Sequence, residues 1–185
     1  MRLKEYQSGR PIFGQSPAVW TGQFVVFGSE DNRLLAVDID GFDAWTVVMD
    51  AGLAVSPVIG PDGTSYALTT KGTVYAVNLY GEIIWQFANG ISFSSTPLVS
   101  NNQELYLADD SGRLFALDSQ TGQLNWQDKI LQSPVVSLSL DTQGRLMATT
   151  LTGQMRSLQT ASSGLASFGW PKAHGNTQNT GRVES

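Results

Sequence analysis

An acidic or amide side chain, a glycine and a tryptophan recur three times in this chain, and residues of these types could do chemistry. The stretches are AVDIDGFDAW at residues 36–45, AVNLYGEIIW at 76–85 and ALDSQTGQLNW at 116–126. Carboxylates can act as general acids or hold a metal ion, and an indole can stack against a flat cofactor. The pattern is therefore open to three interpretations: a catalytic signature, a cofactor clamp or a part of the scaffold.

Several markers repeat at nearly the same interval along the chain. The prolines of QSPAV, VSPVI, STPLV and QSPVV, at positions 17, 57, 97 and 134, are spaced by 40, 40 and 37 residues. Alanine, glycine and tryptophan keep the same period, and Ser157 and Gly164 take the fourth places of the first two. A fixed period of this length is typical of repeat architectures. The markers predict four units, at about residues 15–54, 55–94, 95–132 and 133–169.

The second unit shows what each repeat contains. Its apolar runs are SPVIG, TSYALTT, TVYAVN and EIIWQFA, and turn residues such as Pro61-Asp62-Gly63 and Lys71-Gly72 separate them. Runs of this length and composition predict β-strands, and four antiparallel strands per forty residues form a propeller blade. The predicted fold is all-β: a β-propeller of four four-stranded antiparallel blades. Residues 1–14 form an N-terminal extension and residues 170–185 a C-terminal tail.

The recurrent motif fits the scaffold interpretation best, because a catalytic motif seldom occurs three times in tandem. A small residue lets a neighbouring blade approach, an acceptor bonds turn amides, a glycine permits a positive φ, and a tryptophan supplies a ring. We therefore predict that the motif docks each blade on the next. The docking residues are Ala36, Asp38, Gly41, Trp45, Ala76, Asn78, Gly81, Trp85, Ala116, Asp118, Gly122 and Trp126.

Composition excludes several classes of function. The net charge is −5 and charged residues make up 15% of the chain, which disfavours a nucleic-acid binder that must neutralise phosphates. No cysteine is present, so disulfides, thiolate zinc sites and cysteine nucleophiles are excluded. No apolar run approaches the roughly 20 residues of a membrane span, and the N-terminus lacks the apolar region of a secretory signal.

Other residues that could do chemistry have simpler structural interpretations. His174, the only histidine, lies in a polar tail and is interpreted as a surface or capping residue. Residues 109–112 (DDSG) look faintly like a calcium loop but lack its further carboxylates, so a hairpin turn is the better interpretation, as for residues 30–32. Trp20 and Trp170 lie outside the motif and could stack on a ligand, although packing at blade ends explains them more simply. We predict no catalytic, cofactor-binding or metal-binding residues.

At the recurrent motif the chain resembles the pyrroloquinoline-quinone-type propeller repeats, whose docking motif reads A-x-D-x-x-x-G-x-x-x-W. ALDSQTGQLNW matches it in full, while the two earlier copies have one residue fewer before the glycine. The fourth copy has Ser157 and Gln159 in the alanine and aspartate places and no tryptophan four after Gly164. The tail WPKAHGNTQNTGR also resembles a segment that flanks such propellers. The resemblance covers about residues 15–182.

The resemblance implies two functions of different classes. Quinoprotein dehydrogenases of this family hold their quinone with calcium ligands, a catalytic aspartate and often a vicinal disulfide, and none of these can be mapped here. The non-catalytic branch, which includes propeller lipoproteins of outer-membrane assembly, fits better. It implies a protein-interaction scaffold with a protein partner, no cofactor and a place in the bacterial cell envelope or periplasm. The alternative is a fragment of a quinone-dependent dehydrogenase, with the quinone and calcium, or of a glycan-binding or glycan-active propeller.

Ring closure is the last question that the repeats raise. Four blades must either close or leave two blade faces bare, and bare apolar faces drive association. Blades of this family are usually arranged six to eight around the axis. We therefore predict a homodimer that closes an eight-bladed ring, or a fragment that associates, with residues 170–182 at a blade seam; the alternative is a closed ring of four blades.

Overall fold

A computed structural model describes residues 18–29, 31–167 and 171–172 of the chain. Every regular element in these ranges is a β-strand, and neighbouring strands of each sheet run antiparallel. The all-β prediction is therefore confirmed. Within the same ranges there is no helix with the length and apolarity of a membrane span.

The strands form four sheets that follow one another along the chain, and we number them as blades 1 to 4. Blade 1 contains β1 (Val19–Trp20), β2 (Val25–Ser29), β3 (Arg33–Val37) and β4 (Asp43–Val48). Blade 2 contains β5 (Val58–Ile59), β6 (Ser65–Leu68), β7 (Thr73–Val77) and β8 (Ile83–Ala88). Blade 3 contains β9 (Leu98–Val99), β10 (Glu104–Ala108), β11 (Arg113–Asp118) and β12 (Leu124–Lys129). Blade 4 contains β13 (Val135–Leu140), β14 (Arg145–Thr150) and β15 (Met155–Gln159).

The order of strands within a blade determines their burial. In blade 2 every residue of β6 and β7 is buried, so both faces of these strands are covered by neighbouring sheets. The fourth strand, β8, is mostly exposed and buries only Trp85 fully. Strands that are apolar on both faces must lie between two other sheets, because a strand with one face exposed to solvent would alternate polar and apolar residues.

The hydrophobic core is divided among the junctions between successive blades. One cluster joins blades 1 and 2, a second joins blades 2 and 3, and a third joins blades 3 and 4. Each cluster contains buried residues of both blades: Leu34 and Tyr75 in the first, Trp85 and Phe115 in the second, Leu114 and Leu138 in the third. Because apolar burial is the main favourable term in folding, the junctions hold the blades together.

Blade 4 differs from the predicted unit. The described residues give it three strands and no outer strand after β15. At Thr160 the chain turns, and the amide and hydroxyl of this residue both donate to the carbonyl of Gly144, each at 2.9 Å. The chain then runs to blade 3, where Leu165 forms a bridge with Ser100 and the amide of Ala166 donates to the carbonyl of Val99 at 3.0 Å.

The beginning of the C-terminal tail also lies against blade 3. The amide of Val99 donates to the carbonyl of Pro171 at 2.8 Å, so the tail contacts β9, the first strand of that blade. Lys172 is buried and lines a cavity together with Ser139 and Met147 of blade 4. Residue 170 and residues 173–182 lie outside the described residues, so the predicted seam position of residues 170–182 stays a prediction.

The two end faces of the blade stack are not the bare apolar surfaces on which the homodimer prediction depends. On blade 1, Phe27, Leu35 and Val37 are at most 6% exposed and form a cluster with no described member from another blade. On blade 4, Leu138 and Ala148 face blade 3. Successive side chains of a strand point to opposite faces of the sheet, so the neighbours of these two residues along β13 and β14 face away from blade 3. Those residues are mainly small or polar: Ser137, Ser139, Met147 and Thr149. The homodimer stays a prediction.

Candidate functional site: the corners between blades

The acidic or amide residue of the motif stabilises the turn before the outer strand of its own blade. Asp38 Oδ1 accepts hydrogen bonds from the amides of Asp40 at 2.8 Å and Phe42 at 2.9 Å. Asn78 Oδ1 accepts two equivalent bonds, from the amides of Tyr80 at 2.9 Å and Glu82 at 3.0 Å. An amide oxygen thus accepts the same two bonds in this place as a carboxylate oxygen.

In blade 3 the same place is taken by Asp118. Its Oδ1 accepts bonds from the amides of Gln120 at 3.0 Å and Thr121 at 2.8 Å, and from the Thr121 hydroxyl at 2.9 Å. The bond from the Thr121 amide is the main reason why the pKa of Asp118 lies below its usual value. All the acceptor residues of the motif are therefore engaged within their own turns.

The tryptophan contacts the corresponding turn of the next blade. Trp45 Nε1 donates to the carbonyl of Leu79 at 2.9 Å, and Trp85 Nε1 donates to the carbonyl of Ser119 at 3.0 Å. In both cases the acceptor directly follows the acidic or amide residue of the motif. The indole N–H, which needs a partner when it is buried, thus links successive blades.

The motif glycine makes room for this indole. Gly81 has φ +80° and Gly122 has φ +72°, in the left-handed region that glycine adopts without strain. A Cβ atom on Gly81 would lie 2.7 Å from Cβ of Trp45, and one on Gly122 would lie 2.5 Å from Cε3 of Trp85. Both distances are too short for real contacts, so a side chain at either position would displace the indole.

The motif alanine lies directly opposite the tryptophan of its own blade. Ala76 pairs with Trp85 on one side and with Tyr66 on the other, and the rings of Tyr66 and Trp85 lie 5.9 Å apart above it. Ala116 has the same position between Tyr106 and Trp126. A larger side chain in the middle of this row would separate the rings. The sequence interpretation considered only the approach of the neighbouring blade, so this second reason for a small residue is a finding of the structure.

Tyr66 also takes part in the contact between blades 2 and 3, and the sequence did not predict this role. Its hydroxyl donates to the carbonyl of Ser119 at 3.0 Å, so this carbonyl accepts bonds from both Tyr66 and Trp85. Burial raises the pKa of Tyr66 to about 12, which keeps the phenol a hydrogen-bond donor. The sequence feature that could have indicated this role is the aromatic residue in the strand before the motif, which is Tyr66 in blade 2 and Tyr106 in blade 3.

The third tryptophan has a different environment. Trp126 is half-buried with its ring 6.1 Å from that of Tyr106, and no described residue accepts a bond from its indole. Gly164, the glycine of the fourth copy, instead contacts blade 3 through its carbonyl, which accepts a bond from the amide of Asn101 at 3.0 Å. Trp20 lies half-exposed in β1, while Trp170 and His174 lie outside the described residues.

Comparison with known proteins places this architecture in a family. Residues 3–180 match the family model described as outer membrane protein assembly factor BamB. The chain belongs to this family. The predicted resemblance to the outer-membrane-assembly branch of the quinone-type propeller repeats is thereby confirmed.

Individual relatives agree with this assignment. BamB of Legionella pneumophila (strain Paris) is 30% identical over 157 residues, which cover 84% of this chain and 34% of that protein. BamB of Yersinia pestis is 33% identical over 119 residues, covering 60% of this chain and 30% of that protein. The chain therefore spans about a third of the curated BamB relatives that it matches.

Solved structures show the same fold. BamB from Moraxella catarrhalis aligns with a TM-score of 0.68 at 20% identity, over 83% of this chain and 51% of that one. The computationally designed Ika4 protein aligns with a TM-score of 0.68 at 16% identity, over 85% of this chain and 100% of that one. The four blades thus match half of one chain and the whole of another.

The suspected calcium loop of this BamB-family chain is the hairpin turn between β10 and β11. Asp109 Oδ1 accepts bonds from the amides of Ser111 and Arg113, each at 2.8 Å, and Oδ2 accepts one from Arg113 Nε at 2.9 Å. The side chain of Asp31 is similarly close to Arg33 Nε, at 3.0 Å, while residue 30 lies outside the described residues. In the part of the chain that the structure describes, no group of three or more acidic, histidine or cysteine side chains is placed to hold a metal ion.

Asp109 is expected to make the stability of the chain depend on pH. Burial alone would raise the pKa of this carboxyl, but its bonds to Arg113 and Ser111 outweigh burial and lower it. A lowered pKa in the folded state means that the stabilisation is present above the unfolded value of about 3.9 and is lost as the pH falls through the folded pKa. We expect Asp109→Asn to reduce the free energy of unfolding by about 1–3 kcal/mol at pH 7 and by less near pH 3.

Urea unfolding at a series of pH values measures this effect. Asp141→Asn is the matched control, because Asp141 makes the same bonds to Arg145 in the equivalent turn of blade 4 but is more exposed. A loss for Asp109→Asn that is equal at pH 7 and pH 3 would show that the charge of Asp109 contributes nothing.

A cavity of about 400 Å³ lies on the outer side of blade 4 of this BamB-family chain. Its lining comprises Ser139, Leu140, Asp141, Thr142, Met147, Leu165 and Lys172. Burial lowers the pKa of Lys172, and the Asp141 carboxylate is bonded to Arg145 Nε at 2.6 Å. The lining therefore offers hydroxyl groups and an ammonium group, without a carboxylate free for acid–base chemistry.

Proposed function

We propose that this chain is a non-catalytic propeller that serves as a protein-interaction scaffold in outer-membrane protein assembly, in the bacterial cell envelope. The observation that carries the proposal is the match to the BamB family over residues 3–180. The bonding of the corners supports it, because the acceptor residues of the motif and its first two tryptophans are engaged in turns and blade junctions. On this proposal the twelve motif residues are the scaffold, and partners bind elsewhere.

The outer rim of blade 2 is the surface that we propose for a protein partner. Tyr80 is 82% exposed at the corner, and Ile84 and Ile83 of the adjoining strand β8 are 49% and 40% exposed. Aromatic residues dominate the energetics of protein interfaces, and exposed apolar side chains close together favour such a contact. The equivalent corner of blade 3 carries Gln120 in place of Tyr80 and provides a polar comparison.

Site-specific crosslinking tests this proposal. A photo-crosslinking amino acid in place of Tyr80 is expected to capture a protein of the outer-membrane assembly machinery in the native organism, whereas the same probe in place of Gln120 captures little. With the partner identified and purified, Tyr80→Ala should weaken binding by about 30-fold, the value for an interface residue worth about 2 kcal/mol. Gln120→Ala should change it by less than about twofold.

Two results would contradict the proposal. One is equal crosslinking at Tyr80 and Gln120, or adducts that contain no assembly protein. The other is a bound chromophore after the protein is mixed with pyrroloquinoline quinone and calcium, since a scaffold without a cofactor site should release both on gel filtration.

A further inference from the structure

The cavity on blade 4 is bounded by parts of the chain that are far apart in the sequence. Ser139 and Leu140 belong to β13, and Met147 belongs to β14. Leu165 comes from the segment that runs to blade 3, and Lys172 comes from the beginning of the C-terminal tail. The volume of about 400 Å³ lies in the range of cavities that bind small molecules, about 300–1,000 Å³.

Two walls of the cavity are fixed to the same residue of blade 3. The carbonyl of Val99 accepts a bond from the amide of Ala166 at 3.0 Å, which fixes the neighbouring Leu165. The amide of Val99 donates to the carbonyl of Pro171 at 2.8 Å, which fixes the neighbouring Lys172. Val99 itself is fully buried in the core between blades 2 and 3. A site built on such rigid elements is formed before a ligand binds.

Lys172 is the unusual member of the lining. It is 9% exposed, whereas a lysine that only packs its hydrocarbon stem on a surface keeps its ammonium group in water. No described residue accepts a hydrogen bond from its amine, and burial lowers its pKa without a described charge to offset the effect. An amine that is buried without an acceptor or a counter-charge costs free energy. An anion in the cavity would supply that partner.

Asp141, the carboxylate of the lining, is engaged elsewhere. Its Oδ1 accepts bonds from the amides of Gln143 at 2.9 Å and Arg145 at 2.8 Å, and its Oδ2 is bonded to Arg145 Nε at 2.6 Å. The bond from the Arg145 amide is the main reason why the pKa of Asp141 lies below its usual value. Because Arg145 balances the charge of Asp141, the ammonium group of Lys172 determines the charge that the cavity offers to a ligand.

The rest of the lining determines what kind of anion fits. Leu140 is buried, and Met147 and Leu165 are half-buried, so much of the wall is apolar. Ser139 is half-exposed and Thr142 is exposed, which places their hydroxyl groups towards the mouth. An inorganic anion would leave the apolar wall in contact with water, whereas a carboxylate with a hydrocarbon or aromatic body would cover it.

We propose that this cavity binds a small organic carboxylate with an apolar body. The carboxylate group pairs with the ammonium group of Lys172, and the body packs against Leu140, Met147 and Leu165. A hydrogen bond between charged groups is stronger in a site shielded from water than on the surface. The site lies on blade 4, away from the proposed partner surface on blade 2, so the two proposals can be tested separately.

Isothermal titration calorimetry with benzoate and cyclohexanecarboxylate tests this site. Both are expected to bind saturably, one molecule per chain. The corresponding amides have the same shape without the charge and should bind at least about tenfold more weakly, the lower limit for a bond to a charged group. Lys172→Met, which keeps the length of the side chain, should weaken carboxylate binding by the same factor. Lys129→Met, at an exposed lysine of β12, should leave it unchanged.

Thermal unfolding supplies a second readout and shows that the variants are folded. Benzoate should raise the Tm of the wild type but not that of Lys172→Met. Met147→Trp, which fills the cavity and leaves Lys172 in place, should also abolish binding. Inorganic phosphate should bind at least about tenfold more weakly than benzoate, because it makes only the bond to the ammonium group.

Four results would overturn the proposal. Two of them are no saturable binding of either carboxylate, and binding of the amides as tight as that of the acids. The third is carboxylate binding that both Lys172→Met and Met147→Trp leave unchanged, which would place the ligand elsewhere. The fourth is binding of phosphate as tight as that of benzoate, which would indicate a site for simple anions only.

Discussion

Replacement of Trp85 by alanine is expected to reduce the free energy of unfolding by about 3–5 kcal/mol and the Tm by about 10 °C. The side chain is 9% exposed and belongs to the core cluster between blades 2 and 3. The substitution removes this packing and the bond from Nε1 to the carbonyl of Ser119, and it leaves the contact surface of Gly122 empty. Because a domain is stable by only about 5–15 kcal/mol, the loss is a large part of the total.

Calorimetry and urea unfolding measure the loss, and Trp20→Ala is the control. Trp20 is half-exposed in β1, outside the motif, and no described residue accepts a bond from its indole. Its replacement is therefore expected to cost much less. Equal stability of Trp85→Ala and the wild type would show that the indole does not dock blade 2 on blade 3.

Replacement of the motif glycines by alanine is expected to have unequal effects, although all three have nearly the same backbone conformation. Gly41, Gly81 and Gly122 have φ of +84°, +80° and +72°, so alanine costs about 1–2 kcal/mol at each for the left-handed backbone. At Gly81 and Gly122 the new methyl group would also overlap a docked indole, at 2.7 and 2.5 Å. Overpacking of this kind adds about 1–3 kcal/mol.

Gly41→Ala is the matched control within the same chain, because no described atom lies within 4 Å of its Cβ position. Urea unfolding of the three variants should therefore rank Gly122→Ala and Gly81→Ala as clearly less stable than Gly41→Ala. Three equal losses would show that the backbone conformation alone requires glycine, without a contribution from docking.

The repeat pattern was sufficient to predict the strands and the motif residues because these depend on local chemistry. Runs such as TVYAV form strands, and a glycine or an aspartate within a few residues forms the turn that ends them. Asp38 and Asp118 stabilise turns within four residues of themselves, as their residue types predict. Such contacts form between residues that are close in the sequence, and a pattern that occurs in four repeats is easier to recognise than one that occurs once.

The sequence predicted that contacts between blades exist, but not which residues make them. The motif indicated that a tryptophan contacts a neighbouring blade, but the acceptor of Trp85 lies 34 residues further along, and Tyr66 shares it from a distance of 53 residues. Which carbonyl faces which indole depends on how the twisted sheets stack. No pattern within one repeat contains that information.

The sequence by itself thus determined the all-β class, the repeat period, the family and the turn chemistry of the motif residues. The tertiary structure alone decided that the chain leaves blade 4 at Thr160 and pairs with β9, so that no described strand follows β15 in blade 4. The degenerate fourth copy, with Ser157 and Gln159, indicated that something changes there but not what replaces it. The physical reason is that a backbone edge can pair with any extended segment, whereas side-chain periodicity specifies only the strand that follows in its own repeat.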